Sequence, residues 1–264
     1  MYSKSFATFL VGMKVELAYK VEMVIGLLIS FIWPVVLIAL WYAIFSASHS
    51  STISGYSITS LASYYLISAA LLTLMNADLF NNLAEAIEDG SVARYLTRPM
   101  SVLSQVFLIG LPDVIMSGLS RTLPMIILAF VLFSVKVNLV MLAMFIAVIV
   151  IGFAIMQLVQ LIIGMSAVSF TQVYGLFSIF SSASGLLGGS FIPLNMLPNW
   201  ITGVISLLPF QFAYYVPLSI INGNLSISQM LGLLPLAGIW IVLLCGIAYL
   251  YWRYAQRHID AVGV

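Results

Sequence analysis

MVIGLLISFIWPVVLIALWYAIF, residues 23–45, carries no charged side chain over 23 positions. As a helix it is roughly 35 Å long at about 1.5 Å per residue, enough to cross a hydrocarbon core of about 30 Å. It exceeds the 7–15 residues typical of a signal-peptide core, and no small-residue cleavage site follows, so it is expected to stay in the membrane. Trp33-Pro34 lies inside it. A proline removes one ladder donor, which a membrane helix tolerates at the cost of a kink.

On the N-terminal side, residues 1–22 are amphipathic. Phe6, Phe9, Leu10, Met13 and Leu17 recur at helical spacing, with Lys4, Lys14, Glu16, Lys20 and Glu22 between them. This pattern predicts an interfacial helix lying on the membrane surface. On the C-terminal side, 46–58 is a Ser-rich loop without Lys or Arg. A second span is expected over 59–80, ending in Asn76 and Asp78. A third lies within 104–135, a run longer than one crossing, so its first part should be interfacial or tilted. Lys136 and Asn138 mark a short loop. Further spans are expected at 139–164, 172–192 and 229–252.

Composition agrees. The chain is 63 % apolar and 6 % charged, against about 25 % charged in a soluble domain, so its solvent is lipid. The 264 residues hold six spans and short loops, and we read 1–264 as one all-α polytopic transmembrane domain. The lone cysteine, Cys245, stands in an apolar run and can form no internal disulfide.

One apolar stretch is left over, ITGVISLLPFQFAYYVPLSII at 201–221. Pro209 and Pro217 cut it into pieces of about ten residues, too short to cross. Broken backbone at membrane depth survives only when buried in protein or lining a wet cavity. Residues 193–224 therefore read as an outer re-entrant element before span six. Parity supports this. With six spans Lys4, Lys14, Lys20, Arg94, Arg98, Arg253 and Arg257 share one side, which the retention of positive charge makes the cytoplasmic one. Both termini are then cytoplasmic. Phe210, Phe212, Tyr214 and Tyr215 have two readings, lining an exit or sitting at the headgroups, of which the second is expected, and Trp200 suits the interfacial belt.

The most polar stretch is NNLAEAIEDGSVARYLTRP, 81–99, between spans two and three. It holds Glu85, Glu88, Asp89, Arg94 and Arg98. Ala84 to Glu88 favour helix, Gly90 suits a helix end, and Pro99 stops the next turn. Val92, Tyr95 and Leu96 are expected to form a small apolar knob. The whole reads as a cytoplasmic helix that docks into a partner's groove. Asp78, Asp113 and Arg121 are ionisable residues in or near spans, which are costly in lipid; they read as structural anchors, with Arg121 snorkelling to the cytoplasmic interface if the third span starts near 113, or as candidates for pathway or gating roles. Asp113 and Arg121 are eight positions apart, about 80° around a helix, a poor spacing for pairing.

Several chemistries are excluded. No lysine follows a glycine, so there is no Walker A. His49 and His258 lie in opposite extramembrane regions and cannot share a metal. Asp89 to Arg94, DGSVAR, matches the opening of the CDP-alcohol phosphotransferase signature, but Leu103, Phe107 and Leu111 occupy the positions of its further ligands. No catalytic, cofactor or metal site, and no nucleic-acid partner, is expected.

Two stretches resemble the permease subunits of type-2 ATP-binding-cassette exporters, in particular the short six-span prokaryotic branch. In IEDGSVARYLTRPMS (87–101), Ile87, Gly90, Leu96, Arg98 and Pro99 stand where that family's cytoplasmic loop expects them. In GSFIPLNMLPNWITGVISLLPF (189–210), Pro193, Leu194, Leu197, Pro198, Trp200 and Pro209 match its segment before the last span. The resemblance implies that 81–99 is the coupling helix seated in a separate ATPase subunit, which carries ATP and Mg2+. It implies that 1–22 is an elbow helix, that two identical or related permeases pair in a prokaryotic plasma membrane, and that 193–224 lies near the exit. A stand-alone secondary transporter or channel is the alternative. That class usually shows an internal repeat, and none is evident.

Overall fold

In lipid a single segment must satisfy its own backbone, and a helix does so without a neighbour. The computed structural model is accordingly helical, and among the described residues the only β feature is an isolated bridge between Ile53 and Tyr56. It describes residues 9–261 except 11, 15, 16, 19, 78, 98, 99, 136, 171 and 172. Lys4, Phe6, Glu16, Asp78, Arg98, Pro99 and Lys136 lie outside the described residues.

The elements are α1 (Lys20–Ser30), α2 (Ile32–Ser48), α3 (Ile58–Met75), α4 (Asn81–Glu88), α5 (Ala93–Leu96), α6 (Val102–Ser117), α7 (Leu123–Phe133), α8 (Leu139–Met165), α9 (Tyr174–Leu187), α10 (Asn199–Ile205), α11 (Tyr215–Ile221) and α12 (Ile227–Ala261). Among the described residues five helical stretches are long and apolar enough to cross a membrane: Val21–Ser48, Ile58–Met75, Val102–Phe133, Leu139–Val168 and Ile227–Arg257. The pair Asn199–Ile205 and Pro209–Ile221 brings the number to six if it is one span, but it is bent by 85°. The expected fifth span, 172–192, is shorter than the sequence suggested. Its helix α9 has 14 residues, about 21 Å, because Gly188 and Gly189 end it and Gly189 turns at φ +86°.

The break expected near Pro34 falls at Phe31, the single non-helical residue between α1 and α2. The third hydrophobic run, whose first part was expected to be interfacial or tilted, is one continuous helical stretch, Val102–Phe133. α6 and α7 are joined by a π turn, Gly118–Thr122, in which the Leu123 N–H donates to the Gly118 carbonyl five residues back. Pro124 follows and has no N–H to offer, so the extra residue is absorbed without ending the helix.

Packing inverts the soluble rule. α3, the least hydropathic span, is 67 % buried, whereas the strongly apolar Val21–Ser48 is 11 % buried. Polar groups turn inward because lipid offers them nothing. On α3 the Tyr64 hydroxyl donates to the Gly189 carbonyl (2.5 Å) and Ser68 Oγ to the Ser190 carbonyl (3.0 Å). The α3 carbonyls of Ala70 and Met75 accept from Thr122 Oγ1 (3.2 Å) and Gln160 Nε2 (2.8 Å).

The segment after α10 folds against α8. A Cβ on Gly152 would lie 2.3 Å from the Phe212 carbonyl oxygen, so only glycine admits this approach. Phe212 and Tyr214 are 1 % and 0 % exposed, which corrects their expected place at the headgroups. The Tyr215 N–H donates to the Gly188 carbonyl (3.0 Å). Gly188 and Gly189 thus serve this loop contact.

Candidate coupling surface and polar groove

The 81–99 region folds as α4, a turn and α5. Asp89 caps α4, and its Oδ1 accepts from the Ser91 N–H (2.8 Å). Ser91, hydroxyl first and backbone N–H second, holds the Asp89 carboxyl below the usual carboxylate range, and Arg94 contributes a smaller pull. The carboxylate anchor is therefore intact at neutral pH and is lost as pH falls through that depressed value. Gly90 reverses the chain at φ +74°. The Val92 N–H then returns to the Ala86 carbonyl (2.8 Å).

The expected apolar knob faces inward. Val92 is 4 % exposed and packs in one cluster with Leu79, Leu83, Ala86, Val102 and Val106, with Ile87 and Tyr95 half-buried against it. Burial of a valine is worth about 1.5–3 kcal/mol, so the loop holds onto its own bundle rather than offering Val92 to a partner. Gln105 of α6 closes the far end, its Nε2 donating to the carbonyls of Tyr95 (2.8 Å) and Met100 (2.9 Å). The outward face consists of Glu85, Glu88, Asp89, Gly90, Arg94 and Thr97. Leu96 ends α5, its side chain outside the described residues, as are Arg98 and Pro99. Glu88 also reaches across the fold: its Oε1 accepts from the Val173 N–H (3.0 Å), the residue that caps the start of α9.

Beside this contact a groove of about 270 Å³ runs between the end of α3, α8 and α9, lined by Asn76, Gln160, Tyr174, Phe177, Ser178 and Ser181 among others. α9 exposes Tyr174 (81 %) and Ile179 (68 %) along with Ser178 and Ser182. The sequence reading did not single out this groove. Gln157 and Gln160, two amides in the otherwise apolar α8, were the available signal. Gln160 is bonded to α3, while both amide atoms of Gln157 are buried without a partner.

The remaining candidates do not converge. Asp113 and Arg121 form no ion pair among the described residues, and neither lines the groove. Pro193 and Pro209 are buried, whereas Pro198 and Trp200 are exposed on the bent segment. Among the described residues no group of three or more His, Cys, Asp or Glu could hold a metal ion.

A bundle of long apolar helices with polar groups bonded between them, and one charged loop braced at the helix ends, defines a multi-pass membrane protein. The chain matches the family described as ABC-2 family transporter protein over residues 31–263, and it belongs to that family, whose members are membrane components of ABC transporters. No match was found among curated proteins.

Proposed function

We propose that this chain is the permease of an ATP-driven exporter in a prokaryotic plasma membrane and that the α4–α5 loop is its handle. A separate ATPase subunit, carrying ATP and Mg2+, grips Glu85, Glu88, Asp89, Gly90 and Arg94 on the cytoplasmic side, with both termini there. Ile87, Tyr95, Leu96, Arg98 and Pro99 complete the coupling loop. A second permease, identical or related, pairs with this one across α9, and the groove beside Asn76 and Gln160 opens on the pathway between them. The N-terminal helix lies at the inner surface. The bent 193–224 segment, with Pro193, Pro198, Trp200 and Pro209, is the outer re-entrant element near the exit.

One observation carries the reading. The charged face of the loop is exposed while its apolar face is anchored, and Glu88 links it to the first residues of α9. A push on α4 is thereby delivered to the helix beside the groove. Such a push switches access only if the ATPase binds the two permease states differently.

Arg94 is exposed and takes no part in the cluster beneath it, so Arg94→Glu tests the grip without disturbing the fold. Co-purification of the ATPase subunit should fall at least tenfold, and Glu88→Lys should act in the same direction. Undiminished co-purification with both variants would remove the docking role.

A further inference from the structure

Arg121 sits in the π turn between α6 and α7, 12 residues before Phe133, or roughly 18 Å of helix. Gly26, on which its guanidinium rests, is five residues from the start of the Val21–Ser48 span, about 8 Å of helix, which places the group in the half nearer the N-terminal helix and α4. Its guanidinium lies on α1, where a Cβ added to Gly26 would come within 2.8 Å of Cζ and Nε. The missing side chain at Gly26 is what lets the cation lie against the helix. Nε is buried with no hydrogen-bond partner, and no ion pair satisfies the group among the described residues.

A charge left unpaired at this depth is costly, and its surroundings open outward to apolar surface. Leu119 and Leu123 beside it are 57 % and 46 % exposed, and Ile25 and Ile29 beside Gly26 are 50 % and 59 % exposed. The described residues place no counter-ion on the group, and its exposed side is open to the lipid. Glu22 is exposed and stands four residues before Gly26 on the same face of α1, about 6 Å nearer the surface. The molecule thus presents a deep cation and a shallow carboxylate. A zwitterionic phospholipid with a primary amine carries the complementary order, its phosphate deep and its ammonium shallow.

We propose that Arg121, lying against Gly26, and Glu22, one turn before Gly26 on α1, bind the headgroup of an ethanolamine-type phospholipid, Arg121 taking the phosphate and Glu22 the ammonium. The site depends on the span assignment and not on the ATPase reading. Its test needs no ATPase.

The full-length protein in detergent would be titrated with phosphatidylethanolamine, phosphatidylglycerol or inorganic phosphate and examined by native mass spectrometry. Saturable retention of phosphatidylethanolamine, at least tenfold tighter than phosphatidylglycerol and not displaced by inorganic phosphate, is the expected result. Arg121→Gln and Glu22→Gln should each weaken it about tenfold, and Arg121→Lys should restore part of the loss. Equal retention of the two lipids, or wild-type binding by Glu22→Gln, would overturn the headgroup assignment. Displacement by inorganic phosphate, or unchanged binding by Arg121→Gln, would overturn the lipid site. If Arg121→Gln does not fold, the lipid and phosphate series on the unaltered protein decides the matter.

Discussion

At Gly90 the backbone turns left-handed at φ +74° with open space where a Cβ would stand. The obstacle to a side chain there is conformational, since an L-residue in that region costs about 1–2 kcal/mol. Gly90→Val should lower the melting temperature in detergent and loosen the α4–α5 turn. Two residues on, Val92→Ala deletes two methyl equivalents at a buried site, about 1.6 kcal/mol at roughly 0.8 per CH2. Arg94→Ala on the exposed face should change stability by less than about 0.5 kcal/mol. Equal shifts for Val92→Ala and Arg94→Ala in thermal unfolding would mean that the loop is not anchored as described. The sequence marked this loop as polar and separate, but not which way its apolar residues turn. Val92 has the same composition around it whether it meets a partner or its own α6.

At the scale of elements, α3 is held by polar bonds that the apolar helices around it supply. Gln160 caps its last turn through the Met75 carbonyl, whereas Gln157, three residues earlier on α8, finds no partner. Leaving a buried acceptor unpaired costs about 1–3 kcal/mol, while replacing an already unpaired group by an apolar one is neutral or stabilising. Gln160→Leu should therefore destabilise the protein by about 1–3 kcal/mol and speed amide exchange across residues 72–76. Gln157→Leu should leave the melting temperature unchanged or raise it. Both amides were visible in the sequence of α8, but their opposite situations depend on where α3 ends. The Phe212 and Tyr214 reading failed for a related reason. Prolines showed that 201–221 is broken, and broken backbone is stable either at the surface or inside, so its aromatics had two consistent places. Gly152, which admits the Phe212 carbonyl onto α8, selects the inside.

For the whole molecule, the proposed topology puts 46–58 outside and 81–99 inside. Cys245 is the single cysteine, so a Cys245→Ser background accepts reporter thiols. A membrane-impermeant maleimide should label Ser50→Cys in intact cells and label Arg94→Cys only after permeabilisation. Labelling of Arg94→Cys in intact cells would reverse the orientation and remove the ATPase-facing role of α4.

By itself the sequence determined that this is a lipid-embedded helical protein, roughly where its long helices lie, and that one charged loop interrupts them. Those features follow from solvation, which each segment answers locally through its own length, charge and backbone bonding. Only the tertiary structure decided that α3 forms the centre, that Val92, Phe212 and Tyr214 turn inward, that Glu88 reaches the start of α9 and that Arg121 rests on Gly26. In helices apolar on nearly every face no periodicity tells which side meets protein and which meets lipid. That choice is made by shape, by the glycines that let backbones approach, and by the few polar groups that must find one another.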